Sequence, residues 1–238
     1  MRLTFLGTRS SSEHGNALHR RHSALLIEGP AGRLMIDCGG DWLQDLPSLA
    51  PDALLLTHAH SDHSAGLAGG APCQVYATAE TWQRMPDYPI NEPRDICDDQ
   101  VFTLAGLEIE AVPLHHSLRA PAVGYRLRSK SGCLFYAPDV AALIDAQATL
   151  KGCDLYIGDG SALDTSLLRR EQDLPCGHAP ILEQLQWCHE AGVANMIVTH
   201  CGQEIIADER AVRQRLNEAA TALGIDLFIA RDGMRYIM

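Results

Sequence analysis

The chain has 238 residues, of which 46% are hydrophobic and 21% are charged, a composition typical of a globular protein with a large core. Its formal net charge of −11 at pH 7 argues against a broad electrostatic surface for nucleic acid or anionic membranes. No apolar stretch approaches the about 18 residues of a membrane span, and the N-terminus is patterned as a strand rather than as a signal peptide. We therefore expect a cytoplasmic protein with no strong nucleic-acid binding and no membrane partner.

The predicted elements alternate between clusters of strands and single helices along the chain. Strands are predicted at 2–6, 23–28, 33–36, 53–56, 75–77, 101–104, 107–112, 122–128, 132–136, 155–157 and 195–199, with two more in 226–237. Helices are predicted at 78–85, 140–150, 180–191 and 204–223, with a short one around Trp42, and 85–93 is predicted to be an irregular loop. This order favours one α+β domain over residues 1–238, with two mixed β-sheets packed face to face and helices outside.

The eight cysteines are scattered along the chain and form no C-x-x-C pair. This usage predicts reduced, mostly buried thiols in a cytosolic protein. Cys38 and Cys201 lie beside candidate site segments, but neither is predicted to be a metal ligand.

A dense group of metal-ligand side chains follows the apolar strand at 53–56. In the extended stretch, His58 and His60 point the same way because side chains alternate with period two. Asp62 and His63 turn back toward the same space from the start of the next helix. Such a group can hold a pair of divalent cations about 3.5–4 Å apart.

Further candidate ligands stand where other predicted strands end. His115 and His116 follow the run 109–114, Asp139 follows the strand that ends at Ala137, and His200 follows 196–199. Because strand ends fix position while loops give access, these side chains are expected to meet at one edge of the fold.

These residues resemble those of a known family. The motif THAHSDH at 57–63 is similar to the signature of metallo-β-lactamase-fold hydrolases, and the later His, Asp and His follow in that family's order. The resemblance implies an αββα sandwich with a dinuclear site along one edge. Within the family, the segments Gly7-Thr8 and 37–39 are most similar to the branch that contains tRNA 3′-processing ribonuclease and small phosphodiesterases. The segments 113–117 and 123–125 resemble the phosphodiesterase of phosphonate breakdown. That enzyme opens cyclic ribose phosphates in the carbon–phosphorus lyase pathway.

The resemblance also implies a role for each candidate ligand. The first metal is expected to bind His58, His60 and His116, with His115 as the alternative to His116. The second metal is expected to bind Asp62, His63 and His200. Asp139 is expected to bridge the two metals. Imidazoles with carboxylates suit two ions of Mn²⁺ or Zn²⁺ without separating these metals. Asp62 would also orient the attacking hydroxide.

Several other residues have two interpretations each. His178 precedes a predicted helix start, where it could bind a phosphate oxygen or protonate the leaving group, as a histidine does in the phosphodiesterase branch; the alternative is a surface histidine. Asp37 is either a turn residue or a carboxylate that orients a ligand histidine, and Asp159 is similarly open. His22, with His14 and His19, could line an anion pocket, although a solvated loop is the simpler interpretation.

The predicted function is hydrolysis of a small anionic phosphodiester or cyclic phosphate, of the phosphoribosyl cyclic phosphate type. The alternatives are a thioester or lactone hydrolase on the same fold, and a non-catalytic carrier in cofactor biosynthesis. The stretch 9–22 has no cysteine, so the cysteine-rich structural zinc site of the phosphonate enzyme is not expected. A large RNA-binding arm has no room in the chain, which makes pre-tRNA an unfavourable substrate. Trp42 and Trp82 could belong to a homodimer surface or to a pocket rim.

Overall fold

The computed structural model describes residues 1–12, 14–98, 100–164 and 167–238. Strands β1 to β9 cover Arg2–Gly7, Ala24–Gly29, Gly32–Ile36, Ala53–Leu55, Gln74–Thr78, Pro93–Ile96, Val101–Leu104, Leu107–His115 and Ala122–Ser129. Strands β10 to β17 cover Gly132–Tyr136, Ala142–Leu143, Leu155–Asp159, Arg169–Glu171, Leu174–Cys176, Asn195–Thr199, Asp226–Ile229 and Met234–Ile237. Helices α1 to α6 cover Leu46–Leu49, Ser61–Ser64, Ala79–Arg84, Ala146–Leu150, Ile181–Ala191 and Gln203–Leu223.

The two main sheets are both mixed and have related strand orders. One has the order β17-β1-β2-β3-β4-β5-β6, and the other has the order β11-β8-β9-β10-β12-β15-β16 with β7 paired to β8. In each sheet, antiparallel strands lead into parallel ones: β3, β4, β5 and β6 pair in parallel, as do β10, β12, β15 and β16.

The apolar side chains form three layers that explain this architecture. The central layer lies between the sheets and includes Phe5, Ile27, Tyr125 and Leu134, all nearly inaccessible to water. Two outer layers place the helices on the sheets: Trp42 packs over the first sheet, while the second carries the apolar faces of α5 and α6. The predicted αββα sandwich is therefore confirmed.

Helix ends follow ordinary chain chemistry. Both α5 and α6 end at a glycine in the left-handed region, Gly192 at φ 75° and Gly224 at φ 70°, whose N–H closes the last turn. Helix α6 buries Ile205, Val212 and Leu216 along one face and has a non-helical residue near its start, at Asp208.

Three parts of the predicted secondary structure were wrong. The stretch 140–150 is not one helix, because Ala142–Leu143 pairs with β8 as an edge strand and only Ala146–Leu150 is helical, capped by the side chain of Asp145. Strand β6, which begins at Pro93, was missed at the edge of its sheet, a place that tolerates proline. The hairpin of β13 and β14 was missed because each strand has only three residues, β13 is polar and β14 contains a proline.

All eight cysteines lie in the described residues and are free. Six of them are buried, whereas Cys97 is exposed and Cys73 is half-buried. Among the described helices, none is long and apolar enough to cross a bilayer.

The topology places several strand ends at one edge of the sandwich. Because β8 and β10 are both antiparallel to β9, and β10 is parallel to β12 and β12 to β15, these four strands run in the same direction. Their C-terminal ends therefore share an edge. The two sheets are joined there by bonds from Tyr125 Oη to the carbonyl of Leu56 (2.6 Å) and from Val123 N to that of Thr57 (3.0 Å).

Candidate metal centre

The first ligand segment is the turn between β4 and α2. His58 is fully buried, and His60 is half-buried and precedes α2 in extended conformation, at ψ 148°. Asp62 and His63 occupy the first turn of α2 and are buried. The turn is held against the loop after β3 by bonds from Cys38 N to the carbonyl of His63 (2.7 Å) and from Gly66 N to that of Cys38 (2.8 Å).

One group of ligand atoms gathers around one oxygen of Asp139. His60 Nδ1 is 2.9 Å from His58 Nε2 and 3.2 Å from His116 Nε2. Asp139 Oδ2 lies 3.5 Å from His58 Nε2 and 3.3 Å from His116 Nε2. All four ligand atoms are within 4.8 Å of one another, a spacing that suits a single ion.

A second group gathers around the other oxygen of the same carboxylate. Asp62 Oδ2 is 3.5 Å from His63 Nε2 and 3.3 Å from His200 Nε2. Asp139 Oδ1 is 3.5 Å from His63 Nε2 and 2.9 Å from His200 Nδ1. Asp139 thus directs one oxygen to each group, which is the arrangement expected of a carboxylate that bridges two ions.

Unpaired atoms at the meeting point of the groups show that the residues fit a cation. Among the described residues, His63 Nε2 and Asp139 Oδ1 are buried without a hydrogen-bond partner. A buried polar atom without a partner costs about 1–3 kcal/mol, and a divalent ion between them would satisfy both. Imidazole and carboxylate donors suit Zn²⁺ or Mn²⁺.

The protonation of the ligands reflects this crowding. Burial opposes the charged form of His63, but Asp139, Asp37 and Asp62 outweigh it and raise the pKa of His63 well above its ordinary value. Burial dominates at His116 and, together with the neighbouring His178, lowers its pKa to about 4 despite the nearby Asp139. Burial opposes ionisation of Asp139, yet the surrounding histidines, led by His200, hold its pKa well below the ordinary range.

Asp37 orients two of the candidate ligand histidines. Its Oδ2 accepts a bond from His63 Nδ1 at 2.8 Å, and its Oδ1 accepts one from Thr57 N at 2.8 Å. The hydroxyl of Thr57 donates to Asp37 as well, so it can accept from His58 Nδ1 at 3.0 Å. In both histidines the Nδ1 atom is therefore engaged and Nε2 faces the ligand group, as a carboxylate behind a metal-bound histidine requires.

The backbone is constrained at two positions of this centre. Asp37 and His200 have φ angles of 64° and 51°, in the left-handed region that non-glycine residues seldom adopt. Such conformations persist where surrounding contacts over-determine them, and they concentrate at functional sites. His116 is held more simply, by a bond from its Nδ1 to the carbonyl of Gly177 at 3.0 Å.

His178 stands beside the second group with a carboxylate of its own. Its Nδ1 donates to Asp159 Oδ2 at 2.7 Å, and its ring stacks on that of His200 with centroids 5.7 Å apart. Asp159 is fully buried and also accepts from Val140 N (3.0 Å) and Ser161 N (2.8 Å). Burial lowers the pKa of His178, but the Asp159 carboxylate prevails and raises it above the ordinary value.

The remaining sequence candidates lie outside these ligand groups. His115 is the last residue of β8 and half-exposed, whereas the next residue, His116, joins the first group. His22 lies with Nδ1 3.0 Å from Asp41 Oδ2, His19 is buried with Nε2 3.3 Å from Glu209 Oε2, and His14 is exposed. Among the described residues, these three loop histidines share no metal group.

Two supporting residues were not singled out from the sequence. Thr57 links Asp37 to His58, and Ser161 places its Oγ 3.0 Å from His200 Nδ1. Both follow strands that carry candidate ligands, which is the signal that could have found them. Neither has a residue type that by itself indicates metal chemistry.

A family model matches the chain across this centre. The model for the beta-lactamase superfamily domain matches residues 32–201, more than half of the chain and all seven predicted ligands. This protein belongs to that superfamily. The recognition made from the motif at 57–63 is therefore confirmed.

The curated relatives that are similar in sequence include ribonucleases Z. The enzyme from Mycobacterium marinum is 25% identical over 97% of this chain and 96% of its own length. The one from Bradyrhizobium diazoefficiens is 47% identical over 72 residues, which are 28% of this chain and 23% of that protein.

Solved structures share the fold at low sequence identity. The Zn²⁺-bound PqqB from Methylobacterium extorquens superposes with a TM-score of 0.76 and 17% identity over 100% of both chains. A diphosphatase from the PhnP family superposes with a TM-score of 0.71 and 18% identity over 100% of this chain and 97% of that one. The short form of human tRNase Z superposes with a TM-score of 0.68 and 16% identity over 100% of this chain and 99% of that one.

Proposed function

We propose that this protein is a dinuclear metal phosphodiesterase that acts on small phosphodiesters or cyclic phosphates, such as cyclic phosphates of ribose. One observation carries the proposal: Asp139 divides its two oxygens between two ligand groups, and the His178–Asp159 pair stands directly beside the second. Two divalent cations, when bound there, would supply hydroxide near neutral pH and neutralise charge on the phosphoryl group.

In this proposal, Asp62 orients the nucleophile. Its Oδ2 faces both His63 and His200, which leaves Oδ1 to accept a hydrogen bond from the attacking oxygen. The carboxylate lies mostly buried in the first turn of α2, so its direction is set by the helix. In-line attack then places the leaving oxygen on the opposite side of phosphorus.

In this proposal, His178 protonates that leaving oxygen. The bond from its Nδ1 to Asp159 fixes the ring and favours the protonated form, which leaves Nε2–H for the substrate. A positioned acid of this kind contributes about 10²–10⁴-fold to rate. Asp159 acts through His178 in this scheme, and its Oδ1 also lies 3.7 Å from His200 Nδ1.

Several of the relatives support phosphoryl chemistry, whereas a curated relative from Porphyromonas gingivalis is named octanoyltransferase, which refers to acyl transfer. Those named ribonuclease Z act on RNA, and a structural neighbour is named a diphosphatase, so both names refer to bonds at phosphorus. The net charge of −11 favours a small diester over a transfer RNA precursor, whose many phosphates would require a basic surface.

The proposal is tested with bis(p-nitrophenyl) phosphate beside a thioester and a lactone. We expect turnover of the phosphodiester that is lost on chelation and restored by Mn²⁺ or Zn²⁺. In His60→Ala, turnover should fall to background while the circular dichroism spectrum is retained. Turnover of acyl substrates alone, or metal binding without any turnover, would overturn the proposal.

A further inference from the structure

A cavity of about 500 Å³ opens beside the metal centre. Its described lining comes from the loop at 10–12, the Ser161-Ala162 turn, Leu167, His178 and the start of α6. Two of these residues also contact the ligand His200: the ring of His178 stacks on it, and Ser161 Oγ is 3.0 Å from its Nδ1. The cavity is thus continuous with the leaving-group side of the centre.

The walls of the cavity are held in place by the fold. Ser10 N donates to the carbonyl of Cys201 at 3.1 Å, and Cys201 N donates to that of Thr8 at 2.6 Å, which fixes the loop against the segment before α6. Within the loop, the hydroxyls of Ser10 and Ser12 are 2.7 Å apart. The cavity is therefore largely formed before a substrate arrives.

The lining offers hydrogen bonds without a positive side chain. Ser10, Ser12 and Ser161 supply hydroxyls, and Gln203 adds an amide. Among the described lining residues there is no lysine or arginine. The neighbouring Arg9 is 8% exposed and is engaged by Asp41 Oδ2 at 2.6 Å.

A negative charge at the rim weighs against an anionic occupant. Glu204 lines the cavity in the first turn of α6, where its full charge offsets the partial positive charge of the helix start. Leu167 and Ala162 add apolar surface. The hydroxyl groups at the edge of the cavity and the apolar side chains on its wall are complementary to a sugar ring, which presents hydroxyls around its rim and C–H groups on its faces.

We propose that this cavity binds the alcohol part of the diester and that this part is an uncharged, hydroxyl-rich group such as a sugar. The inference rests on the proposed phosphodiesterase function. In the reaction, the hydroxide oxygen bonds to phosphorus, the bond from phosphorus to the sugar oxygen breaks, and that oxygen takes the proton of His178. A cyclic phosphate then yields a phosphomonoester with one free hydroxyl.

The test compares three cyclic phosphates that share one scissile five-membered ring. They are methyl riboside 2,3-cyclic phosphate, its 5-phosphorylated form and the cyclic phosphate of cis-cyclopentane-1,2-diol. Methyl riboside 2,3-cyclic phosphate is called the uncharged riboside here, because its sugar carries no charge besides the cyclic phosphate. We expect kcat/KM to be highest for this compound and lower by about tenfold or more for the other two. The phosphorylated form brings a negative charge toward Glu204, and the hydrocarbon form offers no hydroxyl to the serine side chains.

The charge effect is isolated by Glu204→Gln, which can still accept the bond that Leu163 N makes to Glu204 Oε2 at 2.8 Å. This variant should raise kcat/KM for the phosphorylated riboside by about three- to tenfold relative to kcat/KM for the uncharged riboside. The matched control is Glu218→Gln, an exposed carboxylate elsewhere on α6, which should change neither.

Equal or faster turnover of the phosphorylated or hydrocarbon substrate would overturn the assignment of the cavity. If bis(p-nitrophenyl) phosphate is hydrolysed but the uncharged riboside is not, the cavity inference fails while the proposed function stands. If none of the diesters is hydrolysed, both fail.

Discussion

Beyond the two groups around Asp139 described above, the proposed chemistry depends most on the imidazole of His178, whose ligand atom also lies within 4.8 Å of those of Asp139, Asp159 and His200. In His178→Ala we expect kcat for methyl riboside 2,3-cyclic phosphate to fall by about 10²–10³, because its alkoxide leaving oxygen loses its proton donor. Asp159→Asn should cause a smaller loss, because the asparagine oxygen can still accept from His178 Nδ1. Metal content, measured by elemental analysis, should be unchanged in His178→Ala. A parallel loss of metal and activity would assign His178 to the ligands.

Asp37 makes a different prediction at the same scale. Because it accepts from His63 and Thr57 without joining a ligand group, Asp37→Ala should weaken metal binding by about 10–100-fold. Competition with a chromophoric chelator measures this affinity. Asp52→Ala, which removes a carboxylate bonded to Arg33 N in the neighbouring hairpin, is the control and should bind metal normally. Unchanged affinity in Asp37→Ala would reduce Asp37 to a turn residue.

At the scale of elements, the approach of α2 to the loop after β3 sets the position of Asp62 and His63. A Cβ on Gly39 would lie 2.1 Å from the carbonyl oxygen of Asp62, a backbone atom. Gly39→Ala should therefore displace α2, cost about 1–3 kcal/mol in the free energy of unfolding and weaken metal binding. Gly40→Ala is the matched control, because its Cβ would meet only Ala65 Cβ at 3.7 Å.

Urea denaturation and metal titration of both variants measure this difference. Equal behaviour of the two would show that the close approach at Gly39 does not position the ligands.

The strand ends also show what the sequence could predict. Residues 53–56 and 196–198 are short apolar runs, each followed by a threonine and then by a histidine, so both the strand and the candidate site were visible in the pattern. The order of β8, β10, β12 and β15 then brings their ends to one edge, as expected. By contrast, the 140–150 segment is rich in alanine and leucine and resembles a helix, but pairing of Ala142–Leu143 with β8 overrides this local preference.

Tertiary contacts explain the other failures. No local pattern separates His115 from His116, because both follow the same apolar run; only the register of β8 directs His116 to the centre. The left-handed backbone of Asp37 and His200 is likewise set by partners distant in the sequence. The fold and the ligand types could be predicted from the sequence, whereas the orienting bonds required the structure.

At the scale of the whole molecule, Glu209 joins distant parts of the chain. Its carboxylate accepts from Arg231 Nη2 at 2.7 Å and lies 3.3 Å from the buried His19 Nε2. Burial opposes its ionisation, but Arg231 and His19 lower the pKa of Glu209 below its ordinary value. The stabilisation from this carboxylate should therefore be present above its unfolded pKa and be lost as pH falls through the folded one.

Glu209→Gln should accordingly lower the free energy of unfolding at pH 7 by about 1.5–3 kcal/mol. The deficit relative to the unmodified protein should shrink at pH values below the folded pKa, where Glu209 is protonated in both states. Urea denaturation of the metal-free proteins at both pH values measures the two deficits. A deficit that is equal at neutral and acidic pH would show that the charge of Glu209 does not contribute.

The central claim is that residues from β4 to β15 bring a pair of divalent cations together around Asp139. Anomalous diffraction from crystals grown with Zn²⁺ or Mn²⁺ tests it most directly. We expect two peaks about 3.5–4 Å apart, one within reach of His58, His60 and His116, the other within reach of Asp62, His63 and His200, with Asp139 contacting both. A single peak, or two peaks without Asp139 between them, would contradict the account.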